Sequence, residues 1–139
     1  MSDRGFQQLP HTADLKIRAW APDLRGLIEQ AACGMIDLLV DGQATPERYL
    51  TVTGRGDDAE QTLVDCLREV LLLRELQGLL PVTVEVLQAD ERSASCRVGV
   101  VALERARELE GAHIKAVTYH DLAIRRREGG LVVDVVFDV

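Results

Sequence analysis

No apolar run in this 139-residue chain approaches the ~18 residues that cross a bilayer, so the sequence offers no membrane-spanning helix. The opening Met1-Ser2-Asp3-Arg4 leads straight into polar residues, which predicts no secretory leader. Cysteine is sparse and odd in number. Cys33, Cys66 and Cys96 lie far apart in apolar surroundings, without zinc spacing or the look of a disulfide framework, and they read as reduced core thiols of a cytoplasmic protein. A basic excess is missing as well. Sixteen Lys and Arg against 23 Asp and Glu leave a net charge of −7, whereas a domain built chiefly to hold nucleic acid is usually basic, because neutralised phosphates supply most of its affinity. An acidic surface favours a cation or a basic protein partner instead. The sequence also lacks G-x-S-x-G, a P-loop, H-E-x-x-H and the glycine-rich dinucleotide fingerprint, so no catalytic nucleophile is named.

What is present suits one compact domain spanning residues 1–139, with 47% hydrophobic and 28% charged residues. Strands are predicted at Gly5–Leu9 and Leu15–Ala21, around the polar turn His11-Thr12-Ala13-Asp14. Pro22 ends the second strand and Asp23 offers an N-cap oxygen. Leu24, Leu27, Ile28, Ala31, Ala32, Met35, Ile36 and Leu39 then follow helical spacing over more than four turns, closed by Asp41-Gly42. A strand at Tyr49–Thr53 precedes a second amphipathic helix carrying Leu63, Val64, Leu67, Val70, Leu71 and Leu76 on or near one face, with Gly78 beyond its end. The period changes to two from Leu80. Leu80–Leu87 and Ser95–Leu103 flank the turn Ala89-Asp90-Glu91-Arg92 as an antiparallel hairpin. Further strands are expected at Ile114–His120, Leu122–Arg127 and Leu131–Val139. The pattern predicts an α+β domain: a mostly antiparallel sheet with two amphipathic helices packed on one face.

The last strand is chemically the oddest. Leu131, Val133, Val135, Phe137 and Val139 share one face, while Val132, Asp134, Val136 and Asp138 share the other. Aspartates in a strand need an outward face or a cation. Asp138 also stands next to the free carboxylate of Val139, and adjacent carboxylates repel unless something positive lies between them. A hard divalent ion such as Ca²⁺ or Mg²⁺ would serve; a solubilised, frayed strand end is the plainer reading. In the opening turn, Thr12 or Asp14 bonding the local backbone is the plain reading, and Asp14 entering a site built from both ends of the chain is the functional one. No second His or Cys lies at zinc distance from His11. Lys115 could contact phosphate or carboxylate, or snorkel from a strand edge. Arg125-Arg126-Arg127 reads as a solvated strand end or as a patch for RNA or an acidic partner.

Together, His11-Thr12-Ala13-Asp14, the helix over 27–41, the run Lys115-Ala116-Val117-Thr118-Tyr119-His120 and the closing Phe137-Asp138-Val139 resemble archease, the small accessory protein of the RtcB-type tRNA-splicing ligase. The resemblance spans nearly the whole chain. It implies a non-enzymatic cytoplasmic protein that promotes guanylylation and multiple turnover of a 3′-phosphate RNA ligase, meeting tRNA only through that ligase and no membrane. It also implies a divalent metal held by Asp14, Asp138 and Val139, with Ca²⁺ favoured over Mg²⁺ or Mn²⁺, and it makes Lys115 and His120 the residues facing the partner. Two other readings stay open: a free-standing metal-dependent phosphate-ester hydrolase, and a metal-free binding module or chaperone.

Overall fold

The computed structural model describes residues 2–10 and 14–139; His11, Thr12 and Ala13 of the opening turn lie outside the described residues. Eight strands and two helices follow in the order β1 (Gly5–Leu9), β2 (Leu15–Ala21), α1 (Leu24–Leu39), β3 (Arg48–Arg55), α2 (Ala59–Gln77), β4 (Leu79–Ala89), β5 (Ser93–Ala102), β6 (Ala116–Val117), β7 (Arg125–Arg127) and β8 (Gly130–Asp138). Two 3₁₀ turns, Leu103–Arg105 and Arg107–Leu109, occupy the charged connection after β5.

Both helices begin where a side chain satisfies orphan amides. Asp23 accepts from the Gly26 N–H at 2.8 Å, and Asp58 accepts from the Gln61 N–H at 2.8 Å. α2 stops at Gly78, whose φ of 64° directs its N–H back to the carbonyls of Leu73 and Arg74. The β4–β5 hairpin turns on Asp90, whose Oδ1 accepts from the N–H groups of Arg92 and Ser93 at 2.8 and 2.9 Å.

All strand pairs are antiparallel, and the α+β class with two helices holds. The strands divide between two sheets. One runs β1-β2-β8-β6, with β7 also on β8; the other runs β3-β5-β4. α1 packs against β2 of the first sheet and β4 of the second, and α2 against β3 and β4. The apolar core accordingly draws on both sheets and both helices, with Ile17, Leu27, Met35, Leu67, Val98 and Phe137 fully enclosed. Two-residue periodicity reveals which face of a strand is covered but not which strand takes each edge, so the division into sheets was not readable in advance.

β8 is the central strand, and its second face is not simply outward. Val132 and Val136 are 1% and 2% exposed although they point away from the helices. The strands expected over 114–120 and 122–127 shrink to β6 and β7. Both lie on the same edge of β8, in registers Ala116↔Asp138 and Arg125↔Val132. More residues separate Ala116 from Arg125 than separate Asp138 from Val132, so the excess chain loops out of the ladder. Leu122 N–H closes a turn on the Tyr119 carbonyl at 3.0 Å, and Asp121 takes a φ of 53°.

Candidate functional site at the ends of β2 and β8

The β2–β8 register pairs Leu15 with Phe137, Ile17 with Val135 and Ala19 with Val133. Asp14 directly precedes Leu15 and Asp138 directly follows Phe137, so the pairing brings the two aspartates to the same end of neighbouring strands. Strand alternation turns Asp138 to the face opposite the core, the face that also bears Lys16, Arg18 and Asp134, while Asp14 stands just ahead of β2. Asp14 is half-buried, and Asp138 and Val139 are exposed. On the other edge of β8, the Lys115 N–H donates to the Asp138 carbonyl at 2.8 Å. Three distant stretches of sequence thus meet within one ladder.

The two aspartates of β8 have different surroundings. Arg18 reaches the Asp134 carboxylate through Nε at 2.7 Å and Nη2 at 3.0 Å, and Lys16 and Arg125 each lie 3.9 Å from its Oδ2. The Arg18 hydrogen bonds hold the Asp134 pKa below the usual carboxylate range, with Lys16 and Arg125 adding to the effect. The cation that the strand pattern demands at Asp134 is therefore a side chain of the protein itself. Among the described residues, no ion pair or hydrogen bond holds the Asp138 carboxylate or the Lys115 ammonium, and Lys115 is exposed. The sequence signal for the Arg18–Asp134 pair was the outward placement of both residues; what it lacked was the register.

His120 sits farther along the looped-out segment. Its N–H donates to Thr118 Oγ1 at 3.3 Å, and Thr118 Oγ1 in turn donates to the Val136 carbonyl at 2.9 Å. The imidazole lies 3.2 Å from its own neighbour Asp121, and both are exposed. Tyr119, also exposed, stands beside it.

Among the described residues, no group of three or more His, Cys, Asp or Glu side chains is gathered that could hold a metal ion. Asp14 and Asp138 would bring two hard carboxylates, Val139 would add oxygen donors, and water would fill the rest. Such an all-oxygen donor set fits Ca²⁺ or Mg²⁺ and does not fit zinc.

The archease protein family matches this sequence over residues 6–139. The chain belongs to the archease family. An archease of Methanopyrus kandleri is 30% identical over 138 residues, covering 96% of this chain and 99% of its own. One from Methanosarcina barkeri is 30% identical with full coverage of both. The solution structure of a Methanobacterium thermoautotrophicum protein superimposes with a TM-score of 0.72 at 25% identity, covering 97% of this chain and 99% of the other. The fold is also shared with the crystal structure of a Thermotoga maritima archease described as a possible chaperone, at a TM-score of 0.64, 23% identity and 96% coverage of each. In this archease no helix among the described residues is long and apolar enough to cross a membrane.

Proposed function

We propose that this archease is a cytoplasmic accessory protein of an RtcB-type RNA ligase, promoting the ligase's guanylylation and repeated turnover without catalysing a reaction of its own. The observation that carries this reading is the meeting of Asp14, Asp138 and Lys115 at one end of the β2–β8–β6 ladder. The description of the Thermotoga relative as a possible chaperone also supports an accessory role.

Asp14 and Asp138, with main-chain oxygens of Val139, would hold a divalent cation, Ca²⁺ before Mg²⁺ or Mn²⁺. When bound, such an ion supplies a fixed positive charge that polarises phosphate oxygens. The chain's own residues do the rest. The paired strands fix the two carboxylates at the rim, and the exposed Lys115 presents an ammonium to the partner's anionic groups, with the exposed His120 nearby in sequence. The net charge of −7 complements a basic RNA-binding enzyme and speeds their encounter. tRNA is met only through the ligase.

A time course of ligase guanylylation with and without this protein tests the proposal. Wild type is expected to accelerate it, and the Asp14→Ala, Asp138→Ala double variant is expected to lose the acceleration while keeping its fold. Full stimulation by that variant would refute the assigned site. Turnover of RNA or nucleotides by the protein alone would support the hydrolase reading instead.

A further inference from the structure

Away from the site described above, β4 is an edge strand: β5 pairs with one side of it, and no described strand pairs with the other. Such edges are commonly blunted, because their unpaired amides and carbonyls invite another strand. Most of this edge is blunted. Register shifts between Pro81 and Thr83 and between Val86 and Gln88 interrupt it near both ends. At Val86, two side chains of α1 stand in for a neighbouring strand. Glu29 accepts from the Val86 N–H at 2.8 Å, and Arg25 Nη1 donates to its carbonyl at 3.0 Å. Both main-chain groups of Val86 therefore point away from β5. In an antiparallel ladder that orientation recurs at every second residue, and the register from Thr83 to Val86 is regular. Val84 thus directs its N–H and carbonyl to the same open side, where no hydrogen bond among the described residues engages them. That side is a groove of about 370 Å³ to which Phe6, Ile36, Val40, Val82 and Val84 give an apolar lining and Asp37 an exposed carboxylate.

We propose that the β4 edge at Val84 docks an extended segment of a partner protein as an added antiparallel strand, the segment alternating apolar and basic residues. Its main chain exchanges two hydrogen bonds with Val84. Side chains alternate across a strand, so every second residue of the segment shares the half-buried face of Val84 and meets Phe6, Ile36 and Val40. The residues between share the exposed face of Thr83 and Glu85. No ion pair among the described residues holds Glu85 or Asp37, and a chain of net charge −7 attracts a basic segment. The Arg25–Glu29 clamp on Val86 limits the pairing to the stretch from Val84 toward Val82. Asp14 and Asp138 take no part, so this docking stands whether or not they hold an ion.

The test follows main-chain amides of the isotope-labelled full-length protein by NMR while adding millimolar acetyl-Lys-Val-Lys-Val-Lys-Val-amide. The expected result is shifts confined to Val84 and the groove lining, slower exchange of the Val84 amide, and cross-strand contacts from the peptide to β4. Residues directly opposite in a ladder turn their side chains to the same face, so the peptide valines supply the bonded amides. N-methylation at the valines should abolish binding, and N-methylation at the lysines should spare it. Val84→Pro removes an outward N–H without touching the β5 ladder, a position where an edge strand tolerates proline, and should weaken binding about tenfold. Glu85→Lys, at an exposed position, keeps the test valid if the proline variant fails to fold. It should weaken the lysine peptide and admit the same peptide with glutamate in place of lysine. Unperturbed Val84 at millimolar peptide, equal binding of the N-methyl-valine peptide, or wild-type preference for the glutamate peptide would overturn the proposal. So would a concentration-dependent dimer that protects Val84 without peptide, since the edge would then belong to a second copy of this chain.

Discussion

Arg18 and Asp134 face each other across the β2–β8 pair and are joined by two hydrogen bonds, at 2.7 and 3.0 Å. The Asp134 side chain is 13% exposed and Arg18 30%, so this is a partly buried fork rather than a surface ion pair. It neutralises one of the two aspartates on that face of β8 and leaves Asp138, at the rim, available to a partner.

Replacing Asp134 by Ala should cost about 2 kcal/mol, since the guanidinium loses its bidentate acceptor while remaining partly covered. Urea denaturation at neutral pH measures it. Arg18→Met should cost less than the full effect of stranding the carboxylate, because Lys16 and Arg125 remain 3.9 Å from Asp134.

The same pair sets an acid response. The folded-state pKa of Asp134 is depressed, chiefly by the Arg18 hydrogen bonds, so its contribution is complete above the unfolded value of about 3.9 and is lost as pH falls through the folded one. Unfolding free energies measured from pH 6 to pH 2 should fall more steeply for wild type than for Asp134→Asn below about pH 4. Equal slopes would show that the fork contributes nothing to acid stability.

Both helix N-caps should report independently. Asp23→Ala and Asp58→Ala each remove an acceptor 2.8 Å from an otherwise unpaired amide, and each should cost about 1 kcal/mol. The caps are on different helices, so the double variant should show near-additive loss by calorimetry.

Gly54→Ala places a methyl group 2.4 Å from Cys66 Sγ and 2.5 Å from backbone nitrogen. Backbone cannot yield as a flexible side-chain tip does, so α2 must lift from β3 at a cost of about 3 kcal/mol. Hydrogen exchange should report the damage in α2 and β3 before β2 and β8.

Ion binding is checked by thermal shift. At Ca²⁺ a hundred times above its dissociation constant, the proposed site would stabilise the protein by about 2.7 kcal/mol. The shift in Tm should vanish in Asp14→Asn, Asp138→Asn and shrink when Val139 is deleted. An unchanged shift in the double variant would move the ion elsewhere.

The local elements were legible because their signals are local. Helical spacing from Leu24 to Leu39, with Asp23 ahead of it, sufficed to bound α1, and β1 and β2 fall over their predicted spans. The turn at Asp90 was marked by its polar residues, and β4 and β5 flank it as predicted. The segment from Ile114 to Arg127 was misjudged in extent, because its alternation continues through residues that β8 has no matching length to pair. Val132 and Val136 looked like the neighbours of outward aspartates, yet both are buried; their partners across the β2–β8 register are the long side chains of Trp20 and Lys16, which only the register brings alongside.

The sequence alone determined that this chain would form two amphipathic helices and a set of antiparallel strands, and it marked Asp14, Asp138 and Lys115 as polar groups in search of a role. Tertiary structure alone decided which of them meet, that Asp134 is matched by Arg18 and that the strands part into two sheets. The physical reason is reach: caps, turns and periodicity act over a few neighbouring residues, whereas a strand register couples positions more than a hundred residues apart through hydrogen bonds that any strand could make.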